Sequence, residues 1–397
     1  MIGLMLLALQ ASPTTPPPDS LPRVTLAQAL ERATRLDPGY VRALGQVDNA
    51  EWGRRAARLA FILPSVNAGL DASAFSVAFF NLGTGRPQFQ SYTARLSGSY
   101  EVFSLRKFAE LSRSRAELEG AQAGELQARF ASALLTESDY YGVLANQELS
   151  RVAAERVRRG EEQLSVARAR VLAGAAVHSD SLQLVLELTQ ARLDLLRQES
   201  ALRVARLQLG RRIGAAGPVE AAPIDTVAPD LPLDVPEALR LALDQGPQYQ
   251  VARANERAAV AELRAERGGY LPQLTLSGAY QQFDSEFFPS GRKVSSMSLS
   301  LSLPIWNNGQ RELAVTQARV SRDVFRAIRQ DLERAAARDV TEAYEAYTTA
   351  QASIGLSGTA VVVARENFRV QDSRYRAGAT TILDVLEAQV RLTQSEA

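Results

Sequence analysis

The chain has 397 residues, with 45 Lys and Arg against 44 Asp and Glu, one histidine and no cysteine. Aromatics make up only 7% of it, and Ala, Leu, Arg and Glu dominate long tracts, a composition of long helices and not of compact cores. Balanced charge argues against a dedicated nucleic-acid binder, which needs a basic excess or stripe to neutralise phosphates. Lack of cysteine excludes disulfides, thiolate nucleophiles, zinc knuckles and a thioether lipid anchor within these residues, and one histidine excludes most His-based triads and multi-His metal sites. Gly-rich phosphate loops, metal-ligand clusters and paired catalytic carboxylates are likewise missing, so the expectation is a protein that is not an enzyme and has no cofactor.

In chain order, residues 1–22 read as a secretory signal-like segment: an apolar run from Ile2 to Leu9, then Gln10, Ala11 and Ser12, then a proline-rich tail. Nowhere else are there about 18 consecutive apolar residues, so any membrane contact must be made by strands. The 17 prolines fall in three clusters and leave two proline-free tracts, Arg106 to Gly217 and Ile305 to Ala397. Proline costs a helix interior about 3 kcal/mol, so these tracts are where long helices can form. The tract from Arg106 to Leu172, at 1.5 Å per residue, predicts a rod of roughly 100 Å.

The sequence repeats itself at an offset of about 205 residues. Leu63-Pro64-Ser65-Val66 recurs as Leu271-Pro272-Gln273-Leu274, and Arg170 to Ala175 followed by Asp180 recurs as Arg374 to Ala379 followed by Asp384. The domain organisation that follows is a first structural repeat over 23–214, an Ala- and Pro-rich linker over 215–234, and a second repeat over 235–397. About 40 residues separate Gly174 from Gly214, but only about 19 follow Gly378, so the last helix reads as unfinished.

After each Leu-Pro the apolar period changes to two. Val66, Ala68, Leu70, Ala72 and Ala74 alternate with polar neighbours, as do Tyr92 to Val102, Leu274 to Tyr280 and Met297 to Leu303. Runs of about ten residues with one apolar face suit tilted strands that cross a bilayer, and Phe79, Phe80, Tyr92, Phe103, Phe283, Phe287, Phe288 and Trp306 cluster near their ends as a girdle would. A water-soluble sandwich with one solvated face has the same alternation. Four strands cannot close a barrel, and open edges in lipid leave backbone groups unsatisfied, so further copies of the chain must complete it. Two copies give eight strands and a filled interior; three give twelve and a lumen, which favours a trimer for a conduit.

Leu-Pro before an alternating strand, Trp306 to Arg311 leading into a long helix, and the Arg374 to Gln389 run (Arg-Tyr-x-x-Gly-x-x-x-x-x-Asp-Val-Leu-x-Ala-Gln) together resemble the outer membrane efflux protein family, the TolC-like exit ducts. The resemblance covers the chain from Val24 onward. It implies a mixed α and β membrane protein: a homotrimer in the outer membrane, with long α-helical hairpins forming a periplasmic α-barrel and four transmembrane β-strands per protomer of a 12-stranded β-barrel. The strands would be Leu63 to Phe80, Ser91 to Phe103, Leu271 to Phe283 and Val294 to Trp306, with Asn81 to Gln90 and Asp284 to Lys293 as extracellular loops. The implied function is a passive exit duct of a tripartite efflux or type I secretion system, working with a periplasmic adaptor and an inner-membrane transporter. A periplasmic coiled-coil scaffold without a pore is the alternative, and the four strands argue against it.

On this resemblance Gly174 and Gly378 mark helix-hairpin turns at the periplasmic tip. Asp180 either starts its returning helix as a cap or takes part in a gate; Asp384, with Glu387 at i+3, would form stacked carboxylate rings in a trimer, narrowing the pore and favouring cations. Family members hold the closed tip through an aspartate of the first hairpin and a tyrosine and an arginine of the second. Asp180 and Tyr375 match, whereas Thr380 stands where the arginine is expected, which leaves the gate to Tyr375 and Asp180 or to Arg374 and Arg376 as substitutes. His178 reads as a turn residue or a pH sensor. Asp71, Arg95 and Glu101 either tune lumen charge or solvate the wall, and the charge run from Glu155 to Glu162 reads as an exposed helix face.

Overall fold

The computed structural model describes residues 21–81, 85–224, 231, 233–284 and 293–396. The signal-like segment up to residue 20, the central parts of both expected loops with Phe287 and Phe288, and positions 225–230 and 232 of the linker lie outside the described residues. The chain divides into two compact units, one made of 1–38, 130–229 and 347–397, the other of 39–129 and 230–346. Each unit draws on both halves of the sequence.

The first unit is mostly helical. A short strand β1 (Arg23–Val24) leads into α1 (Leu26–Leu36), whose start is closed reciprocally: the Gln28 amide donates to the Thr25 hydroxyl, and the Thr25 amide donates to the Gln28 side chain. After α2 (Pro38–Ile62), β2 (Ser65–Asn81) and β3 (Arg86–Phe103), α3 (Leu105–Leu172) runs 68 residues without a proline, and α4 (His178–Arg212) returns. Beyond α4, β4 (Glu220–Ala221) pairs in parallel with β1. Tyr140 is fully buried between these pieces, its hydroxyl 2.8 Å from the Ala222 carbonyl, in a core with Val24, Val143, Leu209 and Val219. The α3/α4 hairpin is also tied by Arg156, which pairs with both Glu187 and Asp194 of the returning helix. The charge run at Glu155 to Glu162 is exposed only in part: Arg158 bridges Glu155 and Glu162 on the open side, whereas Arg156 and Arg159 point into the packing and Gly160 is buried, because a helix carries consecutive residues to different faces.

The second unit holds α2 from Gly39 onward, β2, β3 and the start of α3, together with α5 (Val235–Gln245), α6 (Pro247–Arg267), β5 (Gln273–Asp284), β6 (Lys293–Ser302) and the start of α7 (Gln310–Arg376). α8 (Ile382–Glu396), in the first unit, is the last element described. The four long strands form one antiparallel sheet in the order β2-β3-β5-β6. Its register aligns like with like: Ser65, Ser99, Ser277 and Ser298 lie in one row, and Tyr100, Leu276 and Leu299 in a row on the opposite face. Every residue of β6 is exposed, Met297 by 80% and Leu301 by 72%, so among the described residues nothing covers the apolar face at this strand. A water-soluble sandwich would cover it with a second sheet. Among the described residues, no helix is long and apolar enough to cross a membrane.

All four strands match the expected segments, and two boundaries, the start of β3 and the end of β6, are displaced furthest from the sequence expectation. Residues 86–90, expected in a loop, are the start of β3 and pair as far as Arg86 with Asn81, because a shift in register between Ala74 and Phe79 lets the hairpin extend. β6 stops at Ser302, short of Trp306, since Pro304 cannot donate to a ladder. The chain then turns through Asn308 and Gly309, both at positive φ, into α7, and the Arg311 guanidinium fixes the corner by donating to the Pro304 carbonyl at 2.8 Å while lying over the Tyr270 ring.

Candidate functional site: two hairpin turns

The ends of α3 and α7 have the same backbone. Gly174 and Gly378 adopt φ of 73° and 78°, a left-handed conformation that carries no Cβ penalty only for glycine. In the first turn the Gly174 amide donates to the Val171 carbonyl (3.0 Å) and the Ala175 amide to the Arg170 carbonyl (2.8 Å). In the second, Gly378 donates to Tyr375 (3.0 Å) and Ala379 to Arg374 (2.8 Å). Both are Schellman closures, which satisfy carbonyls that a helix end otherwise leaves open. The arginine four residues before each glycine reinforces the turn, Arg170 donating to the Ala175 carbonyl (3.1 Å) and Arg374 to that of Ala379 (3.4 Å).

The returning helices begin differently. One Asp384 carboxylate oxygen accepts from the Thr380 hydroxyl (2.6 Å), the Thr381 hydroxyl (2.7 Å) and the Thr381 amide (3.1 Å), while the Asp384 amide donates back to the Thr381 hydroxyl (3.4 Å). These donors, with a smaller contribution from the Arg374 charge, lower its pKa to about 2. Asp384 is therefore a helix cap within its own chain. Glu387 is exposed and paired with Arg391 at 2.6 Å. In the first hairpin α4 is preceded by Val177, which has no capping side chain, so the start of this helix lacks the side-chain cap of the second hairpin. His178 is exposed at the helix start.

Tyr375 is 4% exposed and packs with Leu164, Ala167, Leu184 and Leu188 of the first hairpin and with Ile382 and Val385 of the second. Its hydroxyl is buried without a hydrogen bond of acceptable geometry. Burial, followed by the charge of the Asp180 carboxylate, raises the phenol above its ordinary value, and the Arg170 charge opposes them. The Arg170 guanidinium lies 4.5 Å over the Tyr375 ring and donates to the Tyr375 carbonyl as well as to Ala175. One cation thus closes its own turn and grips the other. Nearby on the same hairpins, Gln163 and Gln389 are buried with unpartnered amide groups.

Within the chain, the structure sets Asp180 and Arg170 beside Tyr375 and Arg170 beside Gly378, while Gly174 closes its own turn and Asp384, Glu387 and Arg374 make their contacts inside the second hairpin. Arg170 is the residue that sequence reasoning passed over. The signal was present, since Arg170 and Arg374 open the two copies of the repeated motif. Among the described residues, no group of three or more His, Asp or Glu could hold a metal ion.

Long α-hairpins attached to a small sheet whose apolar face is bare define a channel subunit of the TolC-like class. The family model described as outer membrane efflux protein matches residues 28–215 and 238–397. The chain is 28% identical to the pyoverdine export outer membrane protein OpmQ of Pseudomonas putida, over 94% of this chain and 81% of that one. It is also 28% identical to protein CyaE of Bordetella pertussis, over 95% and 80%. Among solved structures, VceC of Vibrio cholerae superposes with a TM-score of 0.80 at 20% identity, covering 94% of this chain and 90% of that one. The Campylobacter jejuni CmeC channel does so with 0.81 at 15%, covering 94% and 80%. The chain belongs to the outer membrane efflux protein family. It is an outer-membrane efflux channel with its helical part in the periplasm, a passive conduit and not an enzyme, and the pore-less scaffold is set aside.

Proposed function

We propose that the protein works as a homotrimeric exit duct, opened and closed where the two hairpin turns meet. The observation that carries the trimer is the open sheet: β2 and β6 each present an unpaired edge, and lipid offers backbone groups no partner. Three copies supply twelve strands, enough for a closed wall around a lumen. A periplasmic adaptor would dock against the hairpin tips and an inner-membrane transporter would supply the energy, as tripartite efflux or type I secretion requires. The division into repeats over 23–214 and 235–397, joined by 215–234, is part of the same reading and is supported by the matching turns at Gly174 and Gly378.

The gate centres on Tyr375, with Asp180 and Arg170 acting on it from the first hairpin. Asp180→Ala combined with Tyr375→Phe is expected to raise single-channel conductance in a planar bilayer. Conductance unchanged from the parent would overturn the gate. The trimer has a separate test: mass measurement of the detergent-extracted complex, where a monomer or dimer overturns it.

A further inference from the structure

On the apolar face of the sheet the register places Val66, Gly98, Gly278 and Met297 in one row across β2, β3, β5 and β6. The two central members have no side chain. Leu96 and its partner Tyr280 stand on one side of the row, Tyr100 and its partner Leu276 on the other. The result is a trough of about 610 Å³ across the middle strands, floored by two glycines and walled by aromatic and aliphatic groups, with Ile62 and Pro64 at one end.

Backbone geometry does not call for these glycines. Neither has a positive φ, and a Cβ would meet only the Ser65 carbonyl oxygen at 3.4 Å from Gly98 and the Ser296 carbonyl oxygen at 3.9 Å from Gly278, both ordinary contacts. Glycine weakens a strand interior, and it commonly marks a place where a ligand approaches the backbone closely. The trough also has a charged neighbour. Lys107, in the first turn of α3, holds its ammonium 4.1 Å from the centroid of the Tyr100 ring and 5.1 Å from that of Phe61, and donates to the Glu101 carbonyl at 2.7 Å. Tyr100 itself is fixed by donating to the Phe61 carbonyl at 3.0 Å. A cation held beside an apolar trough, at the helical and hence periplasmic end of the strands, has the polarity of a phospholipid: phosphate outside, hydrocarbon within.

We propose that this trough seats an acyl chain of a phospholipid from the periplasm-facing leaflet, with its phosphate beside Lys107. The site rests on the outer-membrane placement of the sheet and is independent of the gate at the hairpin turns. The test is native mass spectrometry of the full chain released from nanodiscs of phosphatidylethanolamine and phosphatidylglycerol. The unaltered protein is expected to retain about one phospholipid per chain. Gly278→Leu, which fills the floor, should lower retention at least fivefold, and Lys107→Gln should abolish any preference for the anionic lipid while leaving the sheet intact. Gly98→Leu serves where Gly278→Leu does not insert. No retained phospholipid on the unaltered chain, or equal retention once the trough is filled, overturns the proposal.

Discussion

The two hairpin turns share a backbone and differ in what their side chains do. At Gly174 and at Gly378 the same pair of amide-to-carbonyl bonds ends the outgoing helix, and an arginine four residues earlier braces the turn. The acid six residues after the glycine then has two fates. Asp384 is bound by two threonines and an amide, whereas Asp180 follows an uncapped Val177 and acts on a tyrosine of the other hairpin. A position that caps a helix in one hairpin faces a tyrosine of the other hairpin where the threonine partners are absent.

The strongest way to break this comparison is at Tyr375, whose counterpart in the first turn is Val171. Truncating a buried aromatic costs about 3–5 kcal/mol, so Tyr375→Ala should lower the melting temperature sharply, and Val171→Ala far less. Equal losses would mean that the tips are equivalent after all. Next is Arg170. A hydrogen bond from a charged group contributes roughly 1.5–3 kcal/mol, so Arg170→Ala should shift the open-to-closed ratio in planar bilayers by about tenfold or more, with Arg374→Ala having little effect. Arg170→Lys should not restore closure, because an ammonium lacks the planar fork that reaches two carbonyls.

Smaller effects sharpen the comparison. Gly174→Ala and Gly378→Ala each place a Cβ in the left-handed region, at about 1–2 kcal/mol. Neither should displace Arg170, since a Cβ at Gly378 would lie 3.5 Å from its guanidinium, an ordinary contact, and the space at Gly174 is open, so the cost at both turns is one of backbone conformation and gating should change little. The smallest effect is that of acid. Asp384 titrates lower in the folded chain, about 2 against 3.8, so its cap is complete above the ordinary value and lost as pH falls from there through about 2. Amide exchange at the start of α8 should therefore accelerate in acid more than at the start of α4. Tyr375 has the opposite sign: its raised pKa leaves its contribution intact below the ordinary 10.0 and removes it as pH climbs beyond.

Much of the fold was legible in the sequence because it rests on period and punctuation. The proline-free tract beginning at Arg106 became α3, beginning one residue earlier, and the alternation after Leu63-Pro64 and Leu271-Pro272 became β2 and β5. Strand ends were less legible, because pairing is a property of two segments: residues 86–90 extend β3 only because β2 reaches Asn81 opposite them. At the turns, the glycines and Tyr375 were readable from the motif. Which acid is a cap was not, although Thr380 and Thr381 before Asp384, against Ala176 and Val177 before Asp180, carry that information once capping geometry is considered. Arg170 was hidden for a different reason, since its contact with Tyr375 joins residues 205 apart in the chain.

The bare face and open edges of the sheet also bear on biogenesis. Water penalises the exposed apolar side of β6, and hydrocarbon penalises the unpaired edges of β2 and β6 by several kcal/mol for each backbone group. A lone sheet of this kind therefore has no good solvent on either side of the bilayer surface. If three chains make the wall, insertion and assembly must be a single event, and a chain that arrives without its partners stays a client of whatever holds it in the periplasm.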